Sequence, residues 1–139
     1  MLNCFKRDSR GTSAIEFAMI APLFILVVLG MTAYGIYFGA SHSVQQIAAD
    51  TARAAIAGLD ANERRDIAVS FIDRNAGGYP FISPGRLTVE VGDSEADPGQ
   101  FSVLLQYDAR DLPIWALLEG MPLPSMTIRR RSTIRIGGV

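Results

Sequence analysis

Thiol and imidazole chemistry is almost missing from this sequence, which holds one cysteine, Cys4, and one histidine, His42. A lone cysteine closes no intramolecular disulfide, and a lone histidine excludes a histidine-rich metal site. An excess of one charge is missing too. The 13 basic and 14 acidic residues leave a formal net charge of −1, so nothing argues for wholesale binding of nucleic acid. There is no Gly-rich phosphate loop, no Cys-x-x-Cys pair and no Gly-x-Ser-x-Gly elbow. The chain is therefore read as a non-enzyme without a cofactor. With 139 residues it has room for one small domain and one long apolar segment, but for no second catalytic domain.

What is present is a long uncharged run. Residues 17–38, FAMIAPLFILVVLGMTAYGIYF, carry no charged side chain. As a helix they reach about 33 Å, enough to cross a hydrocarbon core of about 30 Å. Lys6, Arg7 and Arg10 precede the run against Asp8, and the first basic residue after it is Arg53. Positive-inside logic then places the N-terminus in the cytoplasm and the rest of the chain across the membrane. A cleaved signal peptide is the competing reading, with Ala40 and Ser41 as a small-residue site, but its apolar core is usually about 7 to 15 residues long. Pro22 removes one helix hydrogen bond. Gly35 and Gly39 form a small-xxx-small pair suited to close helix packing, although glycine is common in membrane helices anyway. Beyond the run, Val44, Ile47, Ala48, Ala52, Ala55 and Ile56 keep helical spacing, predicting one helix over residues 12–57 that Gly58 stops.

One carboxylate, Glu16, stands at the entrance to this run. An ionisable group at bilayer depth costs on the order of 2.5 to 3.5 kcal/mol on insertion scales, so it calls for a partner or a function. Around it the sequence reads Arg7-Asp8-x-x-Gly11-x-x-Ala14-x-Glu16-Phe17-Ala18, then Ala21-Pro22, Gly30 and Ala52-Arg53-Ala54-Ala55. Residues 7–55 thereby resemble the TadE-like pseudopilins of tight-adherence (Flp) pilus systems, with a type IV pilin-like class III leader. The resemblance implies a bacterial inner-membrane, single-pass protein with a periplasmic head. It implies cleavage by a prepilin peptidase between Gly11 and Thr12, and Glu16 as the group that sets register between subunits. Thr12 would then carry a new α-amino group, largely protonated at neutral pH, which the carboxylate of a neighbour could pair. The implied partners are the peptidase, other pilins and pseudopilins, the assembly platform in the inner membrane, and lipid. In the more familiar type IV and type II secretion pilins the apolar run begins directly after the cleavage glycine, whereas here Thr12 and Ser13 intervene.

Residues 59–139 read as an α+β head completing a pilin-like architecture: leader 1–11, long helix 12–58, head. Asp60 and Glu63 form a capping box before a short helix whose apolar face would hold Ile67, Phe71 and Ile72. Leu87, Val89 and Val91 alternate on one strand, and Phe101, Val103, Leu105 and Tyr107 on a second. Met126, Ile128, Ile134 and Ile136 alternate on a third, interrupted by Arg130 and Ser132. Three strands in one antiparallel sheet are expected, with the Ala-rich helix packed on them. Between the second and third strands lies an apolar loop in which Ile114, Trp115, Leu117 and Leu118 either cover the sheet or form a docking patch. Asp93, Glu95 and Asp97 alternate like calcium ligands but lack the rest of such a loop, so a solvated turn is expected and no metal. Arg129, Arg130 and Arg131 split between two strand faces, leaving Arg130 on the apolar side facing an acidic partner.

Overall fold

A computed structural model describes residues 9–94, 97–117 and 120–136. Its first element is helix α1, Ser9–Ala55, about 70 Å long. Alanine, leucine and methionine supply helix propensity along it, and the helix passes through Pro22 without a break. It ends where Ala57 N–H donates to Ala54 O (3.4 Å) and Gly58 N–H to Ala55 O (3.1 Å). Helix α2, Ala61–Asn75, follows at once. Asp60 caps it by accepting from Glu63 N–H at 2.9 Å, and the Glu63 carboxylate accepts from Leu59 N–H at 2.7 Å. This is the expected capping box with its return bond shifted one residue outward.

Among the described residues three strands form one antiparallel sheet: β1 (Leu87–Ser94), β2 (Asp97–Asp108) and β3 (Thr127–Arg135), in that order. The register aligns Leu87–Tyr107–Ile128, Val89–Leu105–Arg130, Val91–Val103–Ser132 and Asp93–Phe101–Ile134 in four rows on one face. The anticipated alternation is realised with Phe101, Val103, Leu105, Tyr107 and Ile128 buried and Ile134 half-buried, except that Met126 lies before β3 and is exposed. The opposite face is wet and laced across its strands, Gln106 donating to Glu90 at 3.2 Å and Arg129 to Gln106 at 3.1 Å.

Helices α1 and α2 lie side by side over the apolar face. Val44, Ile47, Ala48, Thr51, Ala52 and Ala55 of α1 are fully buried there, while Ile56 turns out to solvent. Alanine lets the helix backbone sit close to the large side chains of β2, and that close packing is what completes so small a core. The buried side of α2 is Arg64, Ala68 and Ile72, so Ile72 is where expected but Ile67 and Phe71 are only half-buried. Arg64 displaces them because its guanidinium has partners inside. It lies 5.7 Å from the centre of the Phe101 ring and donates to Gly58 O (3.4 Å) and Asp93 (3.3 Å).

Candidate assembly surface on the long helix

Helix α1 divides into two lengths. Residues 11–29 lie free of the head, and their large side chains are exposed, from Phe17 at 73% and Met19 at 77% to Leu29 at 39%. From Gly30 on, one side of the helix is covered: an ideal Cβ at Gly30 would stand 3.1 Å from the Met121 sulfur, and Ala33 and Ala40 are fully buried. Two tyrosines fasten this junction, the Tyr34 hydroxyl donating to Pro122 O and the Tyr37 hydroxyl to Ser125 O at 3.0 Å. Further along, Arg130 donates to the Ser41 hydroxyl and Gln45 to Arg131 O (3.4 Å). Arg130 thus meets a serine on α1 where an acidic partner was expected. Near the distal end Asp50 accepts from Tyr79 (2.8 Å) and pairs with Arg53 (2.7 Å). Burial, then this hydrogen bond and the negative charge of Asp50, push the Tyr79 hydroxyl up to about 12.

The residues picked out from the sequence fall into three groups. Gly11, Thr12, Glu16 and Pro22 all lie exposed on the free length. A Cβ at Gly11 would meet nothing within 4 Å, so packing places no demand for glycine there. Gly35 is equally open, whereas a Cβ at Gly39 would come within 2.9 Å of the Phe81 ring. The Gly35/Gly39 pair is therefore split, one facing outward and the other spent inside the subunit. In the apolar loop Ile114 is fully buried, and Trp115 is half-buried with its indole N–H donating to Ala109 O at 2.9 Å. Leu117 is half-buried too, and Leu118 lies outside the described residues. Ile114 is core, so it cannot serve in an exposed patch.

The acidic turn offers little to a cation. Asp93 is paired with Arg64, Asp97 accepts from Gly99 N–H (3.0 Å) and Gln100 (2.9 Å), and Glu95 lies outside the described residues. A second charged group closes the end of the sheet nearest the free helix. Arg86 pairs with Asp108 (3.2 Å) and Asp111 (2.6 Å), and Arg110 with Asp108 (2.8 Å). The side-chain and backbone hydrogen bonds of Arg110 hold the Asp108 carboxyl down at about 2.

Sequence reasoning missed the tyrosine clamps and the buried Arg64. Tyr34 and Tyr37 sit in an uncharged run where only their hydroxyls, three residues apart, signalled that polar partners were needed.

No curated protein and no solved structure matches the chain. The TadE-like protein family matches residues 11–53, which span the exposed glycine, the carboxylate, the free apolar length and the buried alanines as far as Ala52. Over those residues the chain is similar to TadE-like proteins, and the sheet-bearing head lies beyond the match.

Proposed function

We propose that the chain is a minor pseudopilin that takes part in assembling or initiating a tight-adherence pilus, its role structural and not catalytic. The observation that carries this reading is the free length of α1: a TadE-like segment, apolar and exposed on all sides, with Gly11 and Glu16 at its base. Glycine inside a helix costs about 1 kcal/mol against alanine, and no neighbour at Gly11 requires it. Recognition by a prepilin peptidase supplies a reason for it. Cleavage before Thr12 creates an ammonium group, and burying Glu16 among neighbouring helices is tolerable only when such a charge meets it. That pairing favours one axial register. The free length is suited first to lipid and then to other pilin helices, with the N-terminus in the cytoplasm and the head in the periplasm.

Intact-mass measurement of the membrane-purified protein, with and without the cognate peptidase, tests the proposal. A mature species starting at Thr12 is expected only with the enzyme. An unchanged leader in its presence would leave a membrane-anchored binding module as the better reading, and an N-terminus near Ser41 would mean a released, signal-peptide-cleaved protein.

A further inference from the structure

Past Glu16, the free length of α1 is shorter than the hydrocarbon core it would cross. Counting from Phe17, just past Glu16, the exposed residues 17–29 rise about 20 Å, against a hydrocarbon thickness of about 30 Å. The missing 10 Å or so is the rise of residues 30–36. Those turns already carry Met121, Pro122 and the neighbouring loop on one side. Whatever depth in the bilayer residues 30–36 occupy, the loop held against them occupies as well.

We infer that the described parts of the β2–β3 connection, residues 112–117 and 120–126, rest in the outer leaflet, a foot of the head embedded among lipid chains and headgroups. This inference depends on α1 being a membrane anchor. The composition of the connection suits the site. Between Asp111 and Arg129 the sequence carries one charge, Glu119, which lies outside the described residues. Leu123 (57%) and Met126 (49%) are exposed on the loop, as are Met31 (72%) and Phe38 (64%) on the adjoining helix. Tyr34, Tyr37 and Trp115 stand at the level where amphipathic rings gather in membrane proteins.

Backbone chemistry supports this for part of the connection. Irregular chain survives at membrane depth only where its polar groups are satisfied within the protein. Pro113, Pro122 and Pro124 have no N–H to satisfy. The carbonyls of Pro122 and Ser125 accept from the two tyrosines, and Ile114 and Leu117 donate to Leu112 O (2.8 Å) and Ile114 O (3.0 Å). The ion-paired group of Arg86, Asp108, Arg110 and Asp111 then falls at headgroup level. Its arginines are matched by carboxylates, so the foot needs no anionic lipid. An overlap of about 10 Å agrees with the depth of about 5–10 Å reached by interfacial segments.

The test uses the full chain carrying Cys4→Ser, reconstituted sparsely in phosphatidylcholine vesicles, with single spin labels at Phe24→Cys, Leu123→Cys or Thr88→Cys. Labels at Phe24 and Leu123 should be relaxed by oxygen in preference to a water-soluble nickel chelate, and the label at Thr88 the reverse. Brominated phosphatidylcholine should quench Trp115, the sole tryptophan. A water-accessible label at Leu123 with a lipid-embedded one at Phe24 overturns the foot and spares the anchor. Water access at both positions overturns the anchor itself. Shielding of Leu123 that appears only at high protein density overturns the foot in favour of a second copy covering the loop.

Discussion

Replacing Gly58 by alanine tests whether the α1–α2 corner is as tight as the structure draws it. The glycine is buried, and an ideal Cβ on it would lie 2.6 Å from Arg64 N, 2.8 Å from Arg64 Cγ and 2.9 Å from Arg64 Cα. Two of those atoms are backbone in the first turns of α2, so no side-chain rotation relieves the clash. Reaching ordinary contact at 3.4 Å requires a displacement of about 0.8 Å, and the displaced turn carries the Arg64 bonds to Gly58 O and Asp93. Overpacking of this kind costs about 1–3 kcal/mol. The backbone angle at Gly58 is one that alanine can adopt, so the substitution recovers about 0.4–1 kcal/mol by restricting the unfolded chain. The net expectation is a loss of about 1–2 kcal/mol.

Urea unfolding of the detergent-solubilised full chain reads this directly, since Trp115 reports on the head from its opposite end. With a urea slope of about 1–2 kcal/mol per molar, the midpoint should fall by on the order of 1 M. Coincidence of the Trp115 and far-ultraviolet transitions establishes that one cooperative event is being followed. Gly85→Ala is the matched control, because a Cβ there meets nothing within 4 Å; it should be neutral or slightly stabilising. A Gly58→Ala midpoint equal to or above wild type, with the control behaving as stated, would refute the steric account of the corner.

Other consequences can be checked with similar means. Ile114→Ala opens a cavity beneath the apolar loop and should cost about 2–5 kcal/mol in the same assay; a change under about 1 kcal/mol would place Ile114 outside the core. Tyr79 has its pKa raised from 10.0 to about 12. Its contribution to stability is therefore complete below pH 10 and declines as pH rises toward 12, because the unfolded state loses its proton first. Tyr79→Phe should flatten that alkaline decline, and an unchanged slope would contradict the assignment. Gly11→Ala should abolish processing without lowering the urea midpoint, and mature protein accumulating in that variant counts against the peptidase reading. Glu16→Ala should be processed normally yet fail in pilus assembly, whereas wild-type piliation would remove the register role.

The sheet and both helices were legible because burial there follows a simple period. Phe101, Val103, Leu105 and Tyr107 alternate in the sequence and are all buried, and Val44, Ile47, Ala48, Ala52 and Ala55 keep their helical spacing against them. Arg64 was not legible, since its pairing with Asp93 spans 29 residues and depends on how α2 sits on the sheet. The same cause rotates the buried face of α2 away from Ile67 and Phe71. The boundary of the free helix was hidden for a different reason. Gly30, Ala33 and Gly39 score as membrane residues whether they face lipid or receive Met121 and Phe81, because hydropathy measures transfer and not shape.

That boundary decides which parts of α1 remain open to a neighbouring helix. Over residues 11–29 every side is available, so a bundle can surround the segment that carries Glu16. Above it, Gly30 and Gly39 are occupied by Met121 and Phe81, and the open surface narrows to Met31, Gly35 and Phe38, with Thr32 beside Met31. Met31, Gly35 and Phe38 recur at i, i+4 and i+7 and lie on one stripe, with Gly35 as the point where a second backbone can come closest. Two subunits packed along this stripe bring their bare lower helices together as well. The carboxylate at the base and the glycine above it then lie 19 residues apart on one rigid rod, about 28 Å, so a register set by charge at Glu16 also fixes which turn meets Gly35.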